Sequence, residues 1–296
     1  MTSLPSVSVI VPHFNALDDL DACLGSLQGQ DYPPERVEII VCDNGSPIAE
    51  AELTSRIAGR AKLVFESQKG AGPARNRAVS HATGDVLAFV DSDCIAQPGW
   101  LSKGVEALAR GDLVGGGVRV FARSASPTGA EVFEEIFAFN QRRYVEELGF
   151  SVTANLFCHR DVFEKVGPFL NGVSEDVEWC RRATMHGYKI VFARDALVAH
   201  PSRPDWPSLR QKWQRLLIEQ FALVMQTGRV AGRAWWIVRQ FAVAASVVPH
   251  SAKVLAATQF TWRQRARALG TLVRIRLWRA AYGLKMGLLG LHQSQD

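Results

Sequence analysis

Val86-Leu87-Ala88-Phe89-Val90-Asp91-Ser92-Asp93 is a run of five apolar residues that stops in two carboxylates. A short apolar run bounded by turn residues reads as a strand buried on both faces of a parallel sheet. Two similar runs lie upstream: Val7 to Val11, which stops at Pro12-His13-Phe14-Asn15, and Val37 to Cys42, which stops at Asp43-Asn44-Gly45-Ser46. Between them Leu17, Leu20, Leu24 and Leu27 fall on one helical face, with Asp18, Asp19 and Asp21 early enough to suit the helix dipole. Helices are also expected around Glu50 to Ala58 and Pro73 to Ala82, with a short strand at Leu63 to Phe65. Strand and helix alternating in this way imply right-handed crossovers and a parallel sheet covered on both faces. Ligands of such sheets sit at the carboxyl ends of the strands. Pro12 to Asn15, Asp43-Asn44 and Asp91-Ser92-Asp93 are therefore expected to share one crevice.

Beyond residue 113 the alternation loosens. Leu113 to Phe121 reads as a strand with a glycine triplet, Ala130 to Glu147 as one amphipathic helix, and Val152 to Cys158 as a strand. A helix over Glu175 to His186 and a strand over Tyr188 to Val198 lead to His200-Pro201, and from Trp206 the chain reads almost wholly as helix. The expected regions are 1–202 and 203–296. Of the 296 residues 47% are hydrophobic and 21% charged, enough for a real core and against wholesale disorder. The formal net charge of +5 is a mean of opposites: residues 1–202 hold 19 basic and 26 acidic residues, and 203–296 hold 15 basic and three acidic. The net charges are thus −7 and +12. Met1-Thr2-Ser3-Leu4-Pro5 has no basic stretch and runs straight into a strand-like segment, unlike a secretory signal, so a cytoplasmic location is expected. Five widely spaced cysteines without a CxxC pair read as buried free thiols. The longest uncharged apolar stretch of the tail, between Arg239 and Lys253, contains Pro249 and His250 and is too short for a bilayer core of about 30 Å.

Several residues carry chemistry that a simpler reading also covers. Asp91 and Asp93 suit a hard divalent cation shared with phosphate oxygens, or a solvated turn after a strand. Asp43, at the end of the second strand, could accept from a nucleobase or ribose. No GxGxxG follows the first strand and no GxxxxGK[ST] occurs, which disfavours a nicotinamide enzyme and a P-loop. Gly70-Ala71-Gly72-Pro73-Ala74-Arg75-Asn76-Arg77 offers backbone N–H groups and guanidinium charge to an anion, or is merely a glycine-rich loop. Glu175-Asp176 is either an acidic helix start or the seat of a general base. His200 is a metal ligand or a structural histidine.

Taken in order, Val7-Ser8-Val9-Ile10-Val11-Pro12-His13-Phe14-Asn15, Val41-Cys42-Asp43-Asn44-Gly45-Ser46, Gly72-Pro73-Ala74-Arg75-Asn76, Asp91-Ser92-Asp93 and Glu175-Asp176-Val177-Glu178-Trp179-Cys180-Arg181-Arg182 resemble the family 2 glycosyltransferases. The resemblance spans residue 6 to about residue 202. It implies the A-type nucleotide-diphospho-sugar transferase fold, an α/β architecture with a mostly parallel central sheet flanked by helices, here with a helical basic C-terminal extension. It also implies inverting transfer of a hexosyl group from a nucleotide-diphospho-sugar to a hydroxyl acceptor. UDP is the commonest donor nucleotide of such families, so a UDP-sugar is the expectation. Carried over by position, Pro12, Phe14, Asp43, Arg75, Asp91 and Ser92 would bind the nucleotide, and Asp93, with Asp91 and His200, would hold Mn²⁺ or Mg²⁺. Asp176 would be the catalytic base beside Glu175, and Asn155 and Trp179 would line the sugar and acceptor pocket. Processive synthases of the family carry Gln-x-x-Arg-Trp beyond the base; Gln211-Lys212-Trp213-Gln214-Arg215 has those types in another order, which implies addition of a single sugar.

In the tail, Trp262, Ala266, Leu269, Val273, Leu277, Ala280, Leu284, Leu288 and Leu291 form an apolar stripe at helical spacing, accompanied by Arg263, Arg265, Arg267, Arg274, Arg276, Arg279 and Lys285. Such a helix lies on an anionic membrane surface, packs on the catalytic domain, or forms a homodimer interface. Six tail tryptophans favour the membrane, with the protein peripheral on the inner face of the cytoplasmic membrane and a lipid-linked or cell-envelope glycan as acceptor. A nucleic-acid surface is the competing use of a basic tail, and no nucleic-acid partner is expected. A catalytically inactive nucleotide-sugar-binding module is the remaining alternative, against which Asp43, Asp93 and Asp176 speak.

Overall fold

The structure, a computed structural model, describes residues 4–226 and 228–290, without the side chains of Gln226 and Arg229. Met1, Thr2 and Ser3 of the N-terminal segment and Leu291 of the tail stripe lie outside the described residues. The first half runs β1 (Val7–His13), α1 (Leu17–Gln28), β2 (Val37–Asp43), α2 (Glu50–Ile57), β3 (Lys62–Phe65), α3 (Ala71–Val79), β4 (Val86–Val90), β5 (Ile95–Ala96), α4 (Trp100–Ala107) and β6 (Leu113–Phe121). It continues through α5 (Gly129–Phe137), α6 (Gln141–Glu146), β7 (Asn155–His159), α7 (Arg160–Val166), α8 (Glu175–Met185) and β8 (Ile190–Pro201). Four helices follow: α9 (Trp206–Gln226), α10 (Arg229–Ala245), α11 (Val247–Ala256) and α12 (Trp262–Leu289).

The chain divides into two compact units, Met1–Arg119 with Phe139–His200, and Val120–Ala138 with Pro201–Asp296. The helical region read from residue 203 onward thus also takes in residues 120–138. In the first unit eight strands form one sheet in the order β3-β2-β1-β4-β7-β6-β8-β5. β3, β2, β1 and β4 are parallel, whereas β7 runs antiparallel to both β4 and β6, and β5 antiparallel to β8. The sheet is mixed, with the expected parallel half at the N-terminal side. Alternate residues of one strand serve opposite faces: Val7, Val9 and Val11 join one apolar cluster with Val86, Ala88 and Val90, while Ile10, Leu87 and Phe89 join the other. Both faces are dry, so the strands read as unbroken apolar runs.

The single helix expected over Ala130 to Glu147 is two. Ala138 is extended and Phe139 has φ +55°, which ends α5, and Asn140 restarts the helix by accepting from the Arg143 amide. The glycine triplet of β6 is used for close approach: a Cβ at Gly116 would collide with the Asn155 side-chain amide and the Ala196 carbonyl.

In the second unit α12 buries Ala268, Leu272, Ile275, Arg279, Gly283 and Met286. That face is offset from the sequence stripe, of which Trp262, Val273, Leu277 and Leu288 are exposed. A buried arginine and two buried glycines on the packing face shift the apparent apolar period away from it. Among the described residues no helix is long and apolar enough to cross a membrane, and all five cysteines are free and buried.

Gly116→Ala is expected to cost about 1–3 kcal/mol through overpacking against Asn155, seen as a lower urea midpoint with an unchanged slope.

Candidate active site

Asp43 closes β2 and is almost wholly enclosed. Its Oδ2 accepts from the amides of Gly45 (3.1 Å) and Ser46 (2.9 Å), and its Oδ1 accepts from the Ser46 hydroxyl (2.5 Å). His13 Nδ1 stands 3.0 Å from the same Oδ1, and His13 Nε2 accepts from the Ala16 amide, so the proton of this imidazole sits on Nδ1 and points at Asp43. The pair ties the ends of β1 and β2 together and shapes their loops. Phe14, just beyond, is 59% exposed, a free aromatic face at the rim.

Arg75 sits on α3, which begins at Gly70 with φ +134°, a conformation suited to glycine. Its side chain is 3% exposed and forks between two carboxylates: Nη2 to Asp91 Oδ1 at 2.6 Å and Nη1 to Glu175 Oε1 at 2.9 Å. Burial alone would lower its pKa, but Asp91 and Glu175 more than offset it, and the guanidinium is held above its ordinary range. One cation therefore joins the end of β4 to the start of α8. Beyond these contacts Asp91 and Glu175 remain partly exposed, as does Ser92.

Asp176, the neighbour of Glu175, accepts from the Val177 amide (2.8 Å) and from the Ser174 hydroxyl (3.2 Å). Burial, then the Glu175 charge, push its carboxyl up to about 6, against the opposing pull of Val177, Arg75 and Ser174. A carboxylate so poised is matched to taking a proton near neutral pH. Ser174 was not singled out from sequence; a serine directly before an acidic helix start was the available signal.

Asp93, Cys94 and His200 form a third group, with ligand atoms all within 4.8 Å of one another. His200 Nε2 lies 3.6 Å from Asp93 Oδ2, and its ring packs on Phe139 with centroids 4.8 Å apart. The Cys94 thiol donates to Asp93 Oδ1 at 3.8 Å, and burial, then the Asp93 and Asp91 charges, push it well above its ordinary range. One carboxylate and one imidazole nitrogen converge here, donors that fit a divalent cation. Cys94 was read from sequence only as a buried thiol, because no paired cysteine accompanies it.

Residues 8–167 match the model of glycosyl transferase family 2. The chain belongs to that family. Glycosyltransferase AglE of Haloferax volcanii is 35% identical over 223 residues, which cover 72% of this chain and 73% of that protein. An uncharacterized glycosyltransferase of Nostoc sp. is 27% identical over 58% of this chain and 55% of its own length. Among solved structures, the mannosyltransferase PcManGT from Pyrobaculum calidifontis, in complex with GDP-Man and Mn²⁺, superposes with a TM-score of 0.63 over 98% of this chain and 89% of that one, at 20% identity.

Two residues expected in the sugar pocket of this family 2 chain have other work. Asn155 is fully buried: its Oδ1 accepts from Trp100 Nε1 (2.8 Å), and its Nδ2 donates to the carbonyls of Gly117 (2.7 Å) and Ala196 (2.8 Å). It clasps β7 to β6 and β8 and has no free polar atom to offer a sugar. Trp179 is also fully buried, donates to the Gly167 carbonyl at 2.8 Å and stacks on Phe163 with centroids 5.5 Å apart. Both are core residues, and the pocket assignment is corrected for each.

Asn155→Ala is expected to destabilise the fold by about 2–4 kcal/mol, since three buried polar groups lose their partner at once. Differential scanning calorimetry checks this, with donor KM, measured well below the new Tm, expected to stay within a factor of two or three.

Proposed function

We propose that the chain transfers one hexosyl group from a nucleotide-diphospho-sugar to a hydroxyl acceptor with inversion at the anomeric carbon. The observation that carries the reading is the Arg75 fork. It draws Asp91, two residues from Asp93, and Glu175, next to Asp176, to one guanidinium, which supports reading Asp93 as a metal ligand and Asp176, with its raised pKa, as a base of the same site. Asp176 takes the proton of the acceptor hydroxyl; Ser174 and the Val177 amide hold it in place, and burial with the Glu175 and Arg75 charges sets its proton affinity. Asp93 and His200 would hold a divalent cation, with Asp91 alongside; the imidazole nitrogen suits a transition ion such as Mn²⁺ better than Mg²⁺. Such an ion would neutralise charge gathering on the departing diphosphate. The loops shaped by the His13–Asp43 pair, with Pro12, Phe14 and Ser92, would receive the nucleotide, Asp43 acting through the loop it organises. A UDP-sugar remains the donor expected for this chain. The PcManGT structure, which holds GDP-Man, makes a GDP-sugar the comparison to run beside it.

The exposed Trp262, Val273, Leu277 and Leu288 of α12, with Val238 and Phe241 of α10, support a peripheral attachment to the cytoplasmic face of a membrane and a lipid-linked acceptor. Flotation with anionic vesicles tests this; flotation failure with a dimer in sedimentation, or a salt-sensitive shift of duplex DNA, would replace it.

Asp176→Asn is expected to lower kcat by about 10²–10⁴-fold with donor Kd little changed, and donor turnover retained would remove Asp176 from its role. Because its carboxyl is raised to about 6, kcat/KM should climb tenfold per pH unit below pH 6 and level off above. The same shift is a stability statement: the protonated form is the one the fold prefers, so stability is lost as pH rises through 6. At pH 8 the inactive Asp176→Asn protein should therefore melt higher than the wild type. Asp93→Ala should abolish the Mn²⁺ dependence of donor binding in calorimetric titration.

A further inference from the structure

Arg239 on α10 and Arg276 and Arg279 on α12 gather in the helical unit. Arg279 is 4% exposed, and its guanidinium lies 3.6 Å from the Trp213 ring centroid. Arg239 lies 5.3 Å from the centroid of Trp236 and donates to Gln220 Oε1 at 3.4 Å. The three feel one another: burial, then Arg276 and Arg239, push Arg279 well below the ordinary arginine range, and burial, then Arg239, lower Arg276. No carboxylate among the described residues forms an ion pair with any of them; in the same unit Glu219 and Glu134 pair with Arg215 and Lys212. Arg239 Nη1, Arg276 Nε and Arg279 Nε are buried donors with no acceptor.

Buried charge is normally paired, because desolvation is not otherwise recovered. Arg75, equally buried, has two carboxylates; this cluster has aromatic rings, one amide oxygen and three idle N–H groups. Guanidinium forks match the oxygens of a phosphate in shape and charge, and Arg239 and Arg276 are only partly buried, so an anion can reach them from solvent. We propose that Arg239, Arg276 and Arg279 form a binding site for a phosphate or diphosphate group, carried by a soluble phosphate ester or by a lipid headgroup. All three residues belong to the helical unit, and the site stands independently of the transferase reading.

The test uses the full chain in EDTA, which silences metal-assisted binding at Asp93. Inorganic pyrophosphate at about a hundred times its Kd should raise the Tm by roughly 5–10 °C over sodium chloride of equal ionic strength. The Arg276→Gln/Arg279→Met protein should lose that shift and, in phosphate-free buffer, melt above the wild type, because an apolar side chain replaces an unpaired charge. Arg276→Gln alone, at a partly exposed position, should weaken pyrophosphate binding several-fold without touching the core. Flotation with phosphatidylcholine vesicles only when phosphatidic acid is added, lost in the double variant, assigns the phosphate to a lipid; a pyrophosphate shift without flotation assigns it to a soluble ester. The proposal is overturned if neither response occurs, if both persist in the double variant, or if that variant melts lower than the wild type without phosphate.

Discussion

A guanidinium taken out of water is normally met by negative charge, and in this chain Arg75 is met from two directions. Its demand brings the end of β4 and the start of α8, far apart in sequence, to one place. The glycine-rich entry to α3 sets where Arg75 stands, and the dry sheet beneath fixes where Asp91 emerges. Glu175 takes the cation, and Asp176, desolvated beside it, is left with a raised proton affinity. Two adjacent carboxylates thus differ: Glu175 is paired with Arg75, and Asp176 is not.

The strands and their polar ends were readable because burial on both faces leaves no choice of residue: Val7 to Val11, Val37 to Cys42 and Val86 to Val90 admit nothing polar but Ser8 and Glu38. That ordered set also carried the resemblance which the family match supports. What sequence did not reveal was orientation. The side chains of Asn155 and Trp179 turn inward, and a buried asparagine is indistinguishable from a ligand-facing one until its three partners are known. The break at Phe139 hid because no glycine or proline separates α5 from α6. β5, two residues long, is too short to have a period, and α7 begins directly at the end of β7 with no turn residues between.

The two units solve the problem of buried positive charge differently. The catalytic unit encloses Arg75 with acids from two elements. The helical unit sets the buried Arg279 against a tryptophan ring, with the Trp213 centroid 3.6 Å away. Ring faces soften the cost of desolvation but do not supply a net charge. The composition asymmetry between the two parts of the chain is thus a difference in chemistry as well as in sign.

The inclusion of residues 120–138 in the helical unit has a topological consequence. The chain passes between the units three times, near residues 119, 138 and 200. Cutting at residue 202 would leave α5 attached to the transferase part while stripping away the cluster in which Ala130, Val132 and Phe133 are buried. A helical unit threaded in this way is not a tail that a lineage can shed or exchange through one recombination event. It has to be inherited with the catalytic sheet.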